Sequence, residues 1–203
     1  MFEVIWSVSL TSIAAACACH AARRELGVRT LITLTAVLGA IAAGAVLLSF
    51  SAGAALHHAL PVAALLPLCV LISETDRRSH IIPDSLVVAI AMLALASPFR
   101  DTAGLQTFGA LFLGALFFLV RTSFALAGRD DALGLGDVKL AAAMGAFLGP
   151  YYGLIGVAIS GAATIAVMAA GMRGATIAAG APFGVGLSAA LLVLAALRFL
   201  GLP

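Results

Sequence analysis

Charged residues are scarce in this sequence: 11 Lys or Arg and 9 Asp or Glu in 203 residues, while 63% of the chain is hydrophobic. An ordinary soluble domain is about 45–50% apolar, so a water-soluble globule is excluded. The net charge is only +2, and the basic residues are spread through short loops, which sets nucleic-acid binding aside. Cysteine is scarce too. Cys17, Cys19 and Cys69 all sit in apolar stretches, where a thiol behaves as a small hydrophobe, and a disulfide framework needs more cysteines, in loops of a secreted chain. Cys17, Cys19 and His20 have metal-ligand chemistry, but they lie at a helix end with no fourth ligand, and packing is the simpler reading. No metal and no cofactor is assigned. The extreme N-terminus also lacks the basic start of a removable signal peptide, Glu3 being its only charge, so the first helix is expected to stay.

What the sequence does have is long intervals free of charge: Val4–Ala22, Thr30–Ser73, Thr102–Val120, Leu140–Met172 and Gly174–Leu197. A bilayer crossing takes about 20 apolar residues. The intervals of 44 and 33 residues each have room for two, and Ser85–Phe99 is a short further candidate. The chain is thus predicted to be all-α, a polytopic membrane protein with seven or eight transmembrane helices, folded in the lipid bilayer as one domain over residues 1–203. No repeat, linker or low-complexity tract divides it. Its 21 glycines suit helices that pack closely in lipid.

Short loops rich in Lys and Arg stay in the cytoplasm. Arg23, Arg24 and Arg29 therefore place the loop after the first helix inside. Helices near 30–50 and 56–73 form a hairpin with an uncharged outer turn at 51–55, and Glu74, Thr75, Asp76, Arg77 and Arg78 form the next cytoplasmic segment. A helix at about 85–99 leads out, the turn 100–104 is external, and a helix at about 105–124 returns. Arg121, Arg129, Asp130, Asp131, Asp137 and Lys139 then lie on the cytoplasmic side. The interval from Leu140 is broken at Gly149 and Pro150, because proline lacks an amide donor and clashes with the preceding turn. The favoured reading is a hairpin of a short helix, 138–148, and a full one, 151–171, with Arg173 inside and a last helix, about 183–200, ending outside. A single kinked span, which exchanges the two sides, is the alternative.

Ionisable groups in so apolar a chain are costly and single out candidate sites. Acidic residues gather in the stretch Ser73–Asp84 and in the glycine-rich turn Gly134, Leu135, Gly136, Asp137, which opens a helix. Asp76 and Asp137 fall on the same membrane face, at helix ends that can meet. Two carboxylates brought together can share one proton; the ionised member then deprotonates a water while the protonated member polarises a peptide carbonyl. Gly134 and Gly136 are expected to give the turn unusual dihedrals and to let a substrate strand approach. The plain alternative makes Asp137 an N-cap for a helix beginning at Val138 and pairs Asp76 with Arg77 or Arg78 at the interface. Spacing does not choose between them.

These residues resemble a known family. The run from Asp76 through Ile82, Pro83 and Asp84 (D-x-x-x-x-x-I-P-D), the block Gly134–Gly145 opening with G-x-G-D and Lys139, and the late Ala181, Pro182, Phe183 and Gly184 resemble the three signatures of type IV prepilin peptidases, bacterial membrane aspartyl proteases of the G-x-G-D class. The resemblance covers about residues 60–190. It implies that Asp76 and Asp137 are the catalytic pair, with Gly134, Gly136, Lys139, Pro83, Asp84, Pro182, Phe183 and Gly184 in supporting positions. The larger, bifunctional members carry two Cys-x-x-Cys pairs after the first helix, tied to N-methylation; here that place holds only Ala21–Arg29. Methyltransferase activity and zinc are not carried over. The compact form resembles the peptidases of tight-adherence or Flp-type pili.

The reading that follows is an aspartyl endopeptidase of the bacterial cytoplasmic membrane, its active site facing the cytoplasm, that cuts the leader from prepilin-like membrane substrates and works with pilus or secretion machinery. A transporter or proton channel using the acidic pair is the alternative, and the near-absence of charge from helix centres argues against it. An inactive assembly factor is a third, opposed by the intact Asp76, Gly134, Gly136 and Asp137.

Overall fold

The computed structural model describes residues 2–26, 41–47, 49, 53, 55–99, 103–128, 133–169 and 183–202. The described residues are helical apart from short turns. The helices are α1 (Phe2–Leu26), α2 (41–47 as described), α3 (Leu56–Ser79), α4 (Asp84–Ala94), α5 (Ala103–Leu126), α6 (Leu135–Ala169) and α7 (Phe183–Phe199). Arg29, Arg100, Arg129, Asp130, Asp131, Arg173, Pro182 and most of the helix expected at 30–50 lie outside the described residues.

Among the described residues three helical runs are long and apolar enough to cross a membrane, Leu56–Ser79, Gly104–Leu126 and Leu135–Val167, and three more are apolar but shorter, Val4–His20, Asp84–Ala94 and Phe183–Phe199. The all-α class expected from the sequence is therefore what the chain adopts, with fewer helices of spanning length among the described residues than seven or eight crossings require. One reason is α4, which stops at Ala94 and not near residue 99. Leu95 and Ala96 close it with i→i+3 bonds to Met92 and Leu93, and the Ser97 hydroxyl turns away to the Phe147 carbonyl, 3.2 Å off. The residue before Pro98 is disfavoured in the helical region, so the helix ends there.

The long α6 is two helices. At Gly149 the backbone takes φ 79° and ψ 175°, and the chain folds back. A Cβ placed on Gly153 would lie 3.4 Å from the Gly145 Cα, and one on Gly156 3.1 Å from the Met144 sulfur. In a straight helix residues eight apart are separated by about 12 Å. Arm one, 135–148, therefore runs away from the Leu135 end and arm two, 150–169, returns beside it, as the hairpin reading of Gly149 and Pro150 expects. Arg198 of α7 fastens the reversal: its guanidinium donates to the Leu148 carbonyl at 2.8 Å and lies over the Phe99 and Tyr152 rings. The Gly149 dihedrals belong to a region open essentially to glycine alone. Gly149→Ala is expected to cost about 1–3 kcal/mol, read as a lower thermal midpoint of the purified protein in detergent; an unchanged midpoint would show that the reversal carries no strain.

Packing holds the remaining helices around this hairpin. α5 lies at the edge of the bundle, with 17% of its apolar window buried against 56% for α3. It touches α6 backbone to backbone: a Cβ on Gly109 would stand 2.5 Å from the Gly145 carbonyl oxygen. Small residues permit such contact where lipid gives no hydrophobic drive between helices. α3 packs on α1, α4 and α7, and arm two runs antiparallel to α7, with Gly156 facing Leu194 and Gly186 facing Ser160. Cys19 and Cys69 are buried in this apolar core.

Candidate active site

Asp76 lies in the last turn of α3, not in a loop. Glu74 holds that turn helical by accepting from Arg77 at 3.1 Å and from Arg78, at i+3 and i+4, while the Thr75 and Ser79 hydroxyls bond back to the Leu71 and Thr75 carbonyls. Both arginines are thus engaged by Glu74, not by Asp76. The helix closes at His80, in the left-handed region at φ 53°, whose N–H donates to the Asp76 carbonyl at 2.9 Å. The Asp76 side chain is 5% exposed and faces the start of α7. Its Oδ2 accepts from the Val185 N–H at 3.2 Å, and the Gly184 N–H also bonds to the carboxylate. The first turn of a helix presents unpaired amides and a partial positive charge, so α7 is oriented to stabilise an anion there.

Further contacts fix α7 in that position. The Ser73 and Ser188 hydroxyls are 2.8 Å apart, and Ser188 also donates to the carbonyl of Val185, the residue that holds Asp76. Phe183 packs against Phe117 of α5, their ring centroids 6.0 Å apart.

Asp137 stands in the first turn of α6, which begins at Leu135 rather than Val138. It is therefore not the N-cap. Gly134 holds that place, and the Asp137 carboxylate reaches back to it, Oδ2 accepting the Gly134 N–H at 3.3 Å. This is one half of a capping box. The other oxygen, Oδ1, is buried with no hydrogen-bond partner among the described residues. A bare buried carboxylate oxygen is costly as an anion, and Asp137 also feels the charge of Asp76. The turn has a support that sequence reasoning passed over: Arg121 of α5 donates to the carbonyl of Leu133, fixing the chain just before Gly134.

Ile82 bridges the two aspartate positions. A Cβ on Gly136 would lie 2.9 Å from the Ile82 Cβ; one on Gly184 would lie 2.8 Å from the Ile82 Cδ1 and 2.9 Å from Asp76 Oδ2. Gly136 and Gly184 therefore serve close approach. Neither Gly134 nor Gly136 has a positive φ, which corrects the expectation of unusual dihedrals in the Gly134–Asp137 turn. Pro83 is the N-cap of α4, and Asp84 occupies the first turn of that helix, where an acidic group suits the helix dipole. Asp84 then pairs with Lys139 at 2.7 Å, tying α4 to α6 beside the aspartates. Asp76, Asp137, Gly134, Gly136, Lys139, Pro83, Asp84, Phe183 and Gly184 thus gather at one end of the bundle. Pro182 is outside the described residues.

The type IV leader peptidase family matches residues 63–170, more than half of the chain and a span that holds both aspartates. The chain belongs to that family. It is also 36% identical over 139 residues to the prepilin leader peptidase/N-methyltransferase of two strains of Burkholderia pseudomallei. Those alignments cover 64% of this chain and 42% of each relative, so the chain spans less than half the length of the curated relatives it matches. No solved structure matches. Within this leader peptidase family member, Ile82 carried a signal in the sequence, as the apolar residue of the I-P-D triplet. The Val185 amide carried none, because every residue but proline has one.

Proposed function

We propose that the chain is a membrane aspartyl endopeptidase that removes the leader of prepilin-like substrates, with Asp76 and Asp137 as its catalytic pair. The observation that carries this reading is the placement of two carboxylates at one end of an apolar bundle, each with one oxygen tied to a backbone N–H, and with a buried oxygen of Asp137 left without a partner among the described residues. Asp76, cradled by the first amides of α7, is the base: it takes a proton from a water whose oxygen attacks the peptide carbonyl. Asp137 supplies the proton that the carbonyl oxygen receives, and the tetrahedral adduct collapses as a proton passes to the leaving nitrogen. Family membership and the name of the Burkholderia relatives support the substrate class; Flp-type pilins are the members of that class we favour.

The basic residues Arg77, Arg78, Arg121 and Lys139 all lie at the aspartate end, which supports placing that end in the cytoplasm of the bacterial inner membrane. The shorter apolar helices are then further crossings, to a total of seven or eight, in one domain. The test is cleavage of a co-expressed prepilin-like protein, with cysteine labelling in the same membranes. Wild-type protein is expected to shorten the substrate, Leu126→Cys to react only with a permeant reagent, and Leu202→Cys to react with an impermeant one from outside. An uncut substrate overturns the activity, and reversed labelling overturns the orientation.

A further inference from the structure

Polar groups of four residues close a ring between α3 and α7. On α3 they are the side chains of Ser73 and Asp76, three residues apart and so on one helix face; on α7 they belong to Val185 and Ser188, again three apart. Asp76 Oδ2 accepts the Val185 N–H at 3.2 Å, the Val185 carbonyl accepts the Ser188 hydroxyl at 3.1 Å, and the Ser188 and Ser73 oxygens are 2.8 Å apart. Ser188 and Asp76 are both buried. Each serine has a single O–H to give. Ser188 gives its hydrogen to Val185, so Ser73 is the donor to Ser188; only this assignment makes every contact in the ring a hydrogen bond.

Packing alone leaves the start of α7 some freedom. Gly184 faces α3, where an added Cβ would lie 2.9 Å from Asp76 Oδ2, and Gly186 faces arm two of α6, where one would lie 2.5 Å from the Ser160 hydroxyl oxygen. Residues two apart point about 200° away from each other around a helix, so the first turn of α7 is held from opposite sides and can neither approach α3 nor withdraw. It can still rotate about its axis or slide along it, and either motion carries the Val185 N–H off the carboxylate. A second bond three residues farther on, a rise of about 4.5 Å, opposes both motions, and the Ser73 to Ser188 contact is that bond. Hydrogen bonds between helices in lipid can serve assembly alone. This one differs in that the Ser188 hydrogen ends on Val185, the residue that holds Asp76.

We infer that Ser188, steadied by Ser73, is a positioning residue for Asp76: the two hydroxyls fix the register of α7 on α3 and so hold the Val185 N–H on the carboxylate that takes the proton from water. This rests on the peptidase reading above and adds what aims its base. The two serines act through Val185, so their removal is felt in the chemical step and not in the binding of substrate.

The experiment compares leader removal by wild type, Ser188→Ala, Ser73→Thr and Ser73→Val, and measures hydrogen exchange at the Val185 amide. Ser188→Ala is expected to lower kcat about tenfold with KM unchanged, less than the hundredfold of a 1 Å displacement because the Val185 N–H can still reach Asp76. Thr and Val share a branched shape and differ by the hydroxyl, so Ser73→Thr is expected to cut several-fold faster than Ser73→Val at matched membrane levels. Val185 is the third residue of α7, where the amide has no acceptor within the helix. Its exchange is therefore expected to quicken about tenfold in Ser188→Ala, while amides from Leu191 to Leu194 keep their wild-type protection. A change in KM alone, equal rates for Ser73→Thr and Ser73→Val, or exchange that quickens evenly along α7 overturns the assignment, the last by making the serine pair a contact of assembly. Should Ser188→Ala fail to accumulate, the Ser73 pair of variants decides. Exchange needs no substrate, so the two readings fail separately: a wild type that does not cut overturns the peptidase reading and any catalytic role of the serines, whereas a cutting wild type with an unchanged Val185 amide in Ser188→Ala overturns the positioning alone.

Discussion

Asp76→Asn and Asp137→Asn are each expected to abolish leader cleavage while the protein inserts at its normal level. An amide is nearly isosteric with the carboxylate, so the packing around either residue is retained, but it neither accepts a proton from water nor delivers one to the substrate. General acid–base chemistry at a positioned group contributes on the order of 10²- to 10⁴-fold, and losses of that size are the expected readout of a cleavage time course. The two losses have different structural settings. Asp76 is held by the Val185 and Gly184 amides, so the Asn oxygen can keep a bond to Val185 and leave α7 in place. Among the described residues Asp137 has only the Gly134 N–H, and its Asn variant keeps the cap of α6 in the same way. Glutamate is expected to fail at Asp76 as well. One added methylene shifts the carboxyl by about 1 Å, enough to cost on the order of a hundredfold, and Asp76 Oδ2 already stands 2.9 Å from where a Gly184 Cβ would be. Near-normal turnover by either Asn variant would remove that residue from the chemistry.

The all-helical class and the break in α6 were legible because each rests on a one-dimensional signal: long charge-free intervals, and a Gly-Pro pair that cannot continue a helix. The side of α6 on which the chain returns was not so determined, since one kinked span fits the same residues. Gly153 lying against Gly145 decides it. The extent of α3 was misread for a physical reason. Five consecutive polar residues, Glu74 to Arg78, resemble a loop by hydropathy, yet Glu74 meets Arg77 and Arg78 at helical spacing and Thr75 and Ser79 satisfy backbone carbonyls within the same turn. Asp76 consequently projects from a helix, which gives its carboxylate a fixed direction. The two aspartates themselves stood out as rare charges in an apolar chain. Their backbone donors did not, because amide groups leave no trace in the residue letters.

Glycine at 136 and 184 is expected to be required for reasons of space, and the expected outcome is steep. A Cβ on Gly136 would approach the Ile82 Cβ to 2.9 Å, closer than two such carbons come without a shift. Both atoms sit directly on the backbone, so no side-chain rotation relieves the contact; α6 must move away from the segment joining α3 to α4. Asp137 follows Gly136 directly and would be carried with it. At Gly184 the new carbon would meet Asp76 Oδ2 at 2.9 Å and the Ile82 Cδ1 at 2.8 Å. The methyl end of Ile82 can swing aside, but the carboxylate cannot retreat without giving up the Val185 N–H. Displacement near 1 Å at a catalytic group costs on the order of a hundredfold, so Gly136→Ala and Gly184→Ala are both expected to lose about that much cleavage, and Gly136→Val more. Ile82→Val separates the two cases, since it removes Cδ1 and keeps Cβ. Paired with Gly136→Ala it is expected to restore little, because the Cβ contact persists; paired with Gly184→Ala it is expected to restore only the share of the loss caused by Ile82. The measurement is the rate of leader removal at matched membrane levels. Full activity in Gly136→Ala would mean that the Ile82 contact is soft and does not position Asp137. Disappearance of the variant from the membrane would instead make the contact one of assembly, and the site would then stand on Asp76 and Asp137 alone.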